Sequence, residues 1–228
     1  TAYEIYQCDW SSDVCSSDLA SINTDDYQDL ADITDQTKRE YCDIHGYKFF
    51  VLKETKYSKI MGFNKIAYVL DLFEQYPDIE WCLFSECDAM ITNLTIRMED
   101  QIDNDYHFIV PVDRLNINSG NFLARNTEEG RAYLQMIMDL EESYANREWA
   151  EQQVIIDTFE DLQNIVKVVP QRYMNSYVQA PYDYCDVTKD IMGNSGEWQS
   201  GDWIVHYPGL HKPVRLAETR KMLDQIVR

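Results

Sequence analysis

Glu86 and Asp88 are two carboxylates two residues apart, placed with Ser85 just after the apolar run Trp81-Cys82-Leu83-Phe84. A short, nearly continuous apolar run is the pattern of a strand buried on both faces. In a parallel sheet, ligands gather at the carboxyl ends of such strands. Carboxylate oxygens are hard ligands suited to Mg2+ or Mn2+, ions commonly shared with the phosphates of a substrate. Alone, the Glu-x-Asp pair reads as a solvated acidic turn. A second group far along the chain changes its weight. Ile204-Val205-His206 is expected to end a strand on a histidine, with Gly209 three residues later and Lys212 three after that. Imidazole is a competent metal ligand, glycine permits close approach of backbone to a ligand, and an ammonium neutralises phosphate as a point charge. His206 by itself reads as a structural histidine. With Lys212 and the acidic pair it points to a clamp for a metal ion and a diphosphate.

Elements able to position these residues are visible in the periodicity. Tyr27, Leu30, Ile33, Thr37, Tyr41 and Ile44 recur at three- and four-residue steps, predicting a helix over 25–45. A strand is expected at 47–52, a helix at 64–76 stopped by Pro77, and strands at 81–84, 107–112 and 121–124. Helices follow at about 127–145 and 148–162, strands at 165–169 and 203–206, and a last helix at about 216–227. This alternation predicts a single α/β domain, with a Rossmann-like, mostly parallel sheet covered by helices on both faces.

Composition bounds the function. The 228 residues carry a formal charge of −20, and 45% are hydrophobic. That is ample for a core, and a chain so acidic, with no basic stripe, is no partner for nucleic acid. No apolar run approaches the ~20 residues of a membrane span, and no secretory-signal pattern is present. Residues 9–19 (DWSSDVCSSDL) stand apart: they translate, codon for codon, from the end of a common sequencing adapter. Residues 1–19 therefore read as a non-native segment in front of a domain at 20–228, whose natural N-terminus is expected to be missing. Cys8, Cys42, Cys82, Cys87 and Cys185 show no CxxC and no metal spacing.

Several ordered motifs resemble the galactosyl/mannosyl/xylosyltransferases of glycosyltransferase family 34. They are Tyr41-Cys-Asp-Ile-His-Gly-Tyr47, the Asn64-Lys65 helix, Trp81 to Asn93, Asn118-Ser-Gly-Asn-Phe-Leu-Ala-Arg-Asn126, Glu151-Gln152, Val169 to Tyr177, and His206-Tyr-Pro-Gly209. The run from His206 to Pro213 is also similar to family 8. The resemblance implies a GT-A fold and a retaining, Mn2+-dependent (or Mg2+-dependent) transfer of a hexose or pentose. The donor would be a nucleotide sugar, UDP-sugar favoured, and the acceptor a glycan or other small hydroxyl compound. It implies Asp88 and His206 as metal ligands, with Glu86 at the metal or the ribose. Gly209 and Lys212 would face the diphosphate, Asn118, Ser119 and Gly120 would line the sugar pocket, and Lys65 would be a donor contact. Glu151 and Gln152 would lie beside the transferred sugar. Glu86 stands where the family usually has Asp, and Ser119 where Thr is common. A non-catalytic nucleotide-sugar or carbohydrate-binding relative is the alternative.

Trp198 and Trp203 are candidates for stacking on an acceptor sugar, or for packing. Asp183, Tyr184 and Asp186 read as a loop, and Asn93-Leu-Thr95 as a chance sequon. The expected location is the Golgi lumen for a eukaryotic source and the cytoplasm for a prokaryotic or viral one.

Overall fold

Leu19, Phe49, Val51, Trp81, Leu83 and Leu123 pack on one side of a central sheet, and Ala20, Phe50, Leu52, Cys82, Phe84 and Phe122 on the other. This two-residue alternation, apolar on both faces, is what strands enclosed between helical layers require. The computed structural model describes residues 3–6, 16–178 and 189–228. In chain order the elements are β1 (Tyr3–Tyr6), β2 (Ser16–Ile22), α1 (Gln28–His45), β3 (Phe49–Leu52), α2 (Met61–Gln75), β4 (Ile79–Ser85) and β5 (Ala89–Ile91). There follow β6 (Phe108–Pro111), β7 (Asn121–Arg125), α3 (Glu128–Asp139), α4 (Glu141–Tyr144), α5 (Ala150–Thr158), β8 (Val166–Val169), β9 (Ile204–His206) and α6 (Lys212–Met222).

The strand order is β1-β3-β2-β4-β7-β6-β8, with β5 and β9 forming a separate two-stranded sheet. Strands β2, β3, β4, β6 and β8 point one way, and β1 and β7 the other. Phe63, Ile66, Val69 and Phe73 of α2, with Leu134 of α3 and Val154 of α5, cover one face. Tyr41 and Cys42 of α1 cover the other, together with β5 and β9. Helix α1 ends where Gly46 takes the left-handed conformation, φ 76°, as a helix C-terminus commonly does.

Three departures from the sequence reading bear on function. The three-residue strand β5 is too short for periodicity to reveal. The helix expected over 127–145 is divided at Leu140 into α3 and α4. The last helix begins at Lys212 rather than 216, with Pro213 in its first turn, where a proline ring fits and its missing N–H leaves no bond unmade. Trp203 is 1% exposed inside the core, and Trp198 donates its indole N–H to the Thr92 hydroxyl, so both serve packing. Asn93 is 8% exposed, and its amide donates to the Gly201 carbonyl.

Residues 16–19 of the segment read as non-native lie in β2, paired with β3 and β4. Residues 7–15 fall outside the described residues, as do Asp183, Tyr184, Cys185 and Asp186. Asp18 is 2% exposed, and its carboxylate accepts from the Lys48 backbone N–H at 2.7 Å and the Ser16 hydroxyl at 3.0 Å. Burial nevertheless pushes its carboxyl above the usual value of 3.8, outweighing the lowering by those bonds and by the charge of Lys48. The folded chain therefore holds more protons than the unfolded one from about pH 4 up to the raised folded-state pKa. Stability falls as pH rises through that window and stays lowered above it. Asp18→Asn keeps an acceptor for Lys48 and removes the buried charge. It is expected to raise the melting temperature at pH 7 and to lose that advantage as the pH is brought down to 4. Identical melts at both pH values would refute this.

Candidate functional site

Strand register assembles the site. Ser85, the last residue of β4, lies opposite Asn121 at the start of β7, and the next backbone N–H, of Glu86, donates to the Gly120 carbonyl at 3.0 Å. Ala89 of β5 lies opposite His206 of β9, and the Tyr207 N–H donates to the Asp88 carbonyl at 3.0 Å. Two residues distant in sequence thus become neighbours. His206 Nε2 is 3.2 Å from Asp88 Oδ1 and 3.6 Å from Glu86 Oε2. One ligand atom from each of Glu86, Asp88 and His206 lies within 4.8 Å of the others.

The surroundings aim these atoms. The second oxygen of each carboxylate is occupied by a cation: Glu86 Oε1 by Lys65 Nζ at 2.8 Å, and Asp88 Oδ2 by Arg215 Nη1 at 2.8 Å. His206 is 1% exposed, and its Nδ1 bonds Asn175 Oδ1 at 2.7 Å. An outer partner on one ring nitrogen orients the other for a ligand. Nε2 itself has no hydrogen-bond partner among the described residues. Two carboxylates and an imidazole, their free atoms converging, fit a hard or borderline divalent cation. Burial opposes the charge of His206, but Asp88 and Glu86 outweigh it and push its pKa up to about 9. Burial likewise opposes the charge of Glu86, while Lys65 and His206 hold it well below the usual carboxylate range. A cation replacing the His206 proton would take up the place between the two carboxylates that the proton's charge now balances.

Beneath the acidic turn lies Lys38 of α1, fully buried, donating to the Glu86 carbonyl at 2.7 Å and the Ser85 carbonyl at 3.4 Å. Burial lowers its pKa against the attraction of Asp35 and the turn. Lys65 of α2 is also buried and reaches Glu151 Oε1 at 2.7 Å and the Ser119 carbonyl at 3.0 Å as well as Glu86. Burial opposes its charge too, and Glu151 with Glu86 raises its pKa. Ser119 gives its hydroxyl to Glu151 at 2.8 Å and its N–H to Gln152 Oε1 at 3.0 Å. Asn118 donates to Asp113 and Tyr177 and accepts the Gly120 N–H at 3.0 Å. Glycines make two close approaches possible. A methyl group at Gly62 would lie 1.6 Å from Glu151 Oε2, and one at Gly120 would lie 2.3 Å from His206 Cε1.

Two cavities meet at Glu86, Lys65 and Pro208. One, of about 250 Å³, is lined by Ile22, Thr24, Tyr27, Phe84, Asp88, Gly209 and Arg215 among others. The other, of about 170 Å³, is lined by Asp113, Leu115, Asn118, Gly120, Trp149, Gln152 and His206. The structure therefore brings Glu86, Asp88, His206, Lys65, Asn118, Ser119, Gly120, Glu151, Gln152 and Gly209 to one place. Lys212 is at its margin, where Nζ is 2.8 Å from Asp29 Oδ1. Arg215, Asn175, Asp113 and Trp149 were not assigned roles from sequence. Arg215 could have been found, since a helix starting at Lys212 carries 212 and 215 on one face.

The sequence profile of the galactosyl transferase GMA12/MNN10 family matches residues 14–105 and 100–212. An alpha-1,2-galactosyltransferase of Schizosaccharomyces pombe is 26% identical over 220 residues, covering 76% of this chain and 54% of the relative. Xyloglucan 6-xylosyltransferase 1 of Arabidopsis thaliana is 27% identical over 103 residues, covering 41% of this chain and 22% of the relative. The chain spans about half the length of the curated relatives it matches first. Among solved structures, a glycosyltransferase involved in the glycosylation of the major capsid of PBCV-1 superposes with a TM-score of 0.72. It shares 16% identity, over 90% of this chain and 99% of that one. The fold is that of GT-A glycosyltransferases.

Gly120→Ala would drive a methyl group into the His206 ring. If the three residues hold a divalent cation, the substitution is expected to weaken its binding, tested with Mn2+ by calorimetry, by roughly tenfold or more, with the circular dichroism spectrum unchanged. Unaltered Mn2+ affinity would remove His206 from the ion site.

Proposed function

The chain belongs to the galactosyl transferase GMA12/MNN10 family, and from that premise we propose that it moves a hexose or pentose from a nucleotide sugar to a hydroxyl acceptor. UDP-sugars are the favoured donors, Mn2+ or Mg2+ the cation, and a glycan or small hydroxyl compound the acceptor, with the anomeric configuration retained. The observation that carries this reading is the convergence of Glu86, Asp88 and His206 where two unlike cavities meet. One has apolar and aromatic walls at Ile22, Tyr27 and Phe84, which suit a nucleoside. The other has the polar wall of Asn118, Gln152 and Asp113, which suits a sugar.

When bound, the cation supplies Lewis-acid charge against the departing diphosphate. The chain's own residues do the rest. Lys65 fixes Glu86 and Glu151 in one arrangement, so the site need not reorganise as charge develops. Gln152, on the wall of the second cavity, is suited to face the sugar ring and stabilise its oxocarbenium-like centre. Glu151 is enclosed and tied to Lys65 and Ser119, which favours a positioning role over that of a covalent nucleophile. Lys212 and Gly209 are proposed to lie along the diphosphate. The acceptor hydroxyl would attack on the face the diphosphate leaves, giving its proton to the leaving phosphate. Relatives named for galactosyl and xylosyl transfer leave the sugar to be found by trial.

The protein is to be incubated with Mn2+ and UDP-galactose, UDP-xylose, UDP-glucose or GDP-mannose, with and without acceptor sugars. At least one donor is expected to be hydrolysed or transferred, and NMR of the product is expected to show the donor's anomeric configuration. Asp88→Asn should lower turnover at least ~100-fold, the scale of losing one transition-state electrostatic contact. A protein that shifts its melting temperature with UDP and Mn2+ yet releases no sugar from any donor would be a binding relative. Near-full transfer by Asp88→Asn would sink the metal assignment.

A further inference from the structure

Arg215 has no place in the motifs, yet its surroundings are those of a ligand-binding cation. It stands in the first turn of α6, three residues beyond Lys212. Its side chain is 14% exposed and lines the larger-volume cavity of the two that meet at Glu86, beside Thr24, Tyr27, Asp88 and Gly209. One of its nitrogens, Nη1, is 2.8 Å from Asp88 Oδ2, and the guanidinium carbon is 5.9 Å from the centre of the Tyr27 ring. Nε is buried and has no hydrogen-bond partner among the described residues. A guanidinium offers five N–H donors in a rigid fork, and a buried N–H without a partner is costly unless something else completes it.

Of the other cations near this cavity, Lys65 is enclosed by its partners Glu86, Glu151 and Ser119. Lys212 sits at the margin in an exposed pair with Asp29 that it can leave for a diphosphate. Arg215 bonds the acidic turn through Nη1 alone, and its guanidinium, part of the cavity wall, remains partly exposed there. The planar fork of arginine is matched to phosphate oxygens, and such bonds are among the stronger ones in proteins.

We propose that Arg215 binds the diphosphate of the donor directly, while its Nη1 contact keeps Asp88 aimed at His206. The proposal rests on the reading of this cavity as a nucleotide-sugar site. It adds to that reading a phosphate-binding residue outside the His206–Pro213 run. The competing role, an anchor of Asp88 alone, predicts different behaviour without metal.

The test is equilibrium binding of UDP and of uridine to the wild-type protein, Arg215→Met and Arg215→Lys, in EDTA and again with Mn2+. If Arg215 holds phosphate, Arg215→Met weakens UDP at least ~tenfold in EDTA and leaves uridine unchanged. Arg215→Lys, which keeps the charge but not the fork, then falls between the two. The unchanged uridine affinity shows that the variant is folded at the cavity. Wild-type affinity of Arg215→Met for UDP in EDTA overturns the proposal, and a loss of UDP affinity seen only in the Mn2+ series assigns Arg215 to Asp88. A wild-type protein that binds UDP under none of these conditions overturns the UDP-sugar reading of the cavity itself, and the role of Arg215 with it.

Discussion

Packing of opposite charges, most of them buried, into one small volume is the constraint on which the rest of this structure turns. Glu86, Asp88 and Glu151 are balanced by Lys65, Arg215 and His206 at 2.7–3.6 Å, with Lys38 beneath them bonded to backbone carbonyls of the same turn. Taking any one of these ions from water is expensive, and mutual attraction offsets that expense only where geometry is good and the remaining hydrogen bonds are made. Such a cluster contributes little to net stability. What it secures is a single arrangement of its members, which is the property a site for charge development needs.

The fold supplies that geometry through two strand pairings. The β4–β7 register sets Glu86 beside Gly120, and the β5–β9 register sets Asp88 beside His206. Slipping either pairing by one residue would turn alternate side chains to the opposite face and dissolve the cluster. Helices α1 and α2 then bring Lys38 and Lys65 from the two sides of the sheet. The layers are thus held together by apolar packing at their centres and by charge at the carboxyl end of β4. Each side of Glu86 opens on a cavity of different character, and the cluster forms the wall they share.

Much of this was legible in the residues. The strand ahead of Glu86, the helix carrying Lys65 and the strand ending at His206 follow from local apolar patterns, and hard ligands at strand ends point to a cation. What escaped depended on distance or on ambiguous local signals. Ala89-Met90-Ile91 is too short for any period to show, so the β5–β9 pairing that unites Asp88 with His206 could not be anticipated. Pro213 reads as the close of a loop as easily as the first turn of a helix. That ambiguity hid the helical face shared by Lys212 and Arg215. The pairing of Lys212 with Asp29 joins opposite ends of the chain, and no local pattern encodes it. Trp203 illustrates the same limit from the other side: an aromatic suited to a sugar is, in the folded chain, a core residue packed near Tyr41.

The two close-approach glycines show how tightly shape and charge are coupled here. Gly120 must lack a side chain because the His206 ring occupies that space, and Gly62 because Glu151 does. Each glycine loses more conformational freedom on folding than a residue with a side chain would. Ala150, at the entrance to α5, adopts φ 43°, a conformation that is uncommon for a residue with a side chain. It immediately precedes Glu151 and Gln152. Chains retain such local costs where surrounding packing over-determines them, and functional sites are where they cluster. Helix propensity alone would place alanine at 62 and an extended or helical backbone at 150. Position 62 yields instead to Glu151, whose carboxylate holds Lys65 and through it Glu86. The acidic turn after β4 is therefore maintained from α5 as much as from the strand that precedes it.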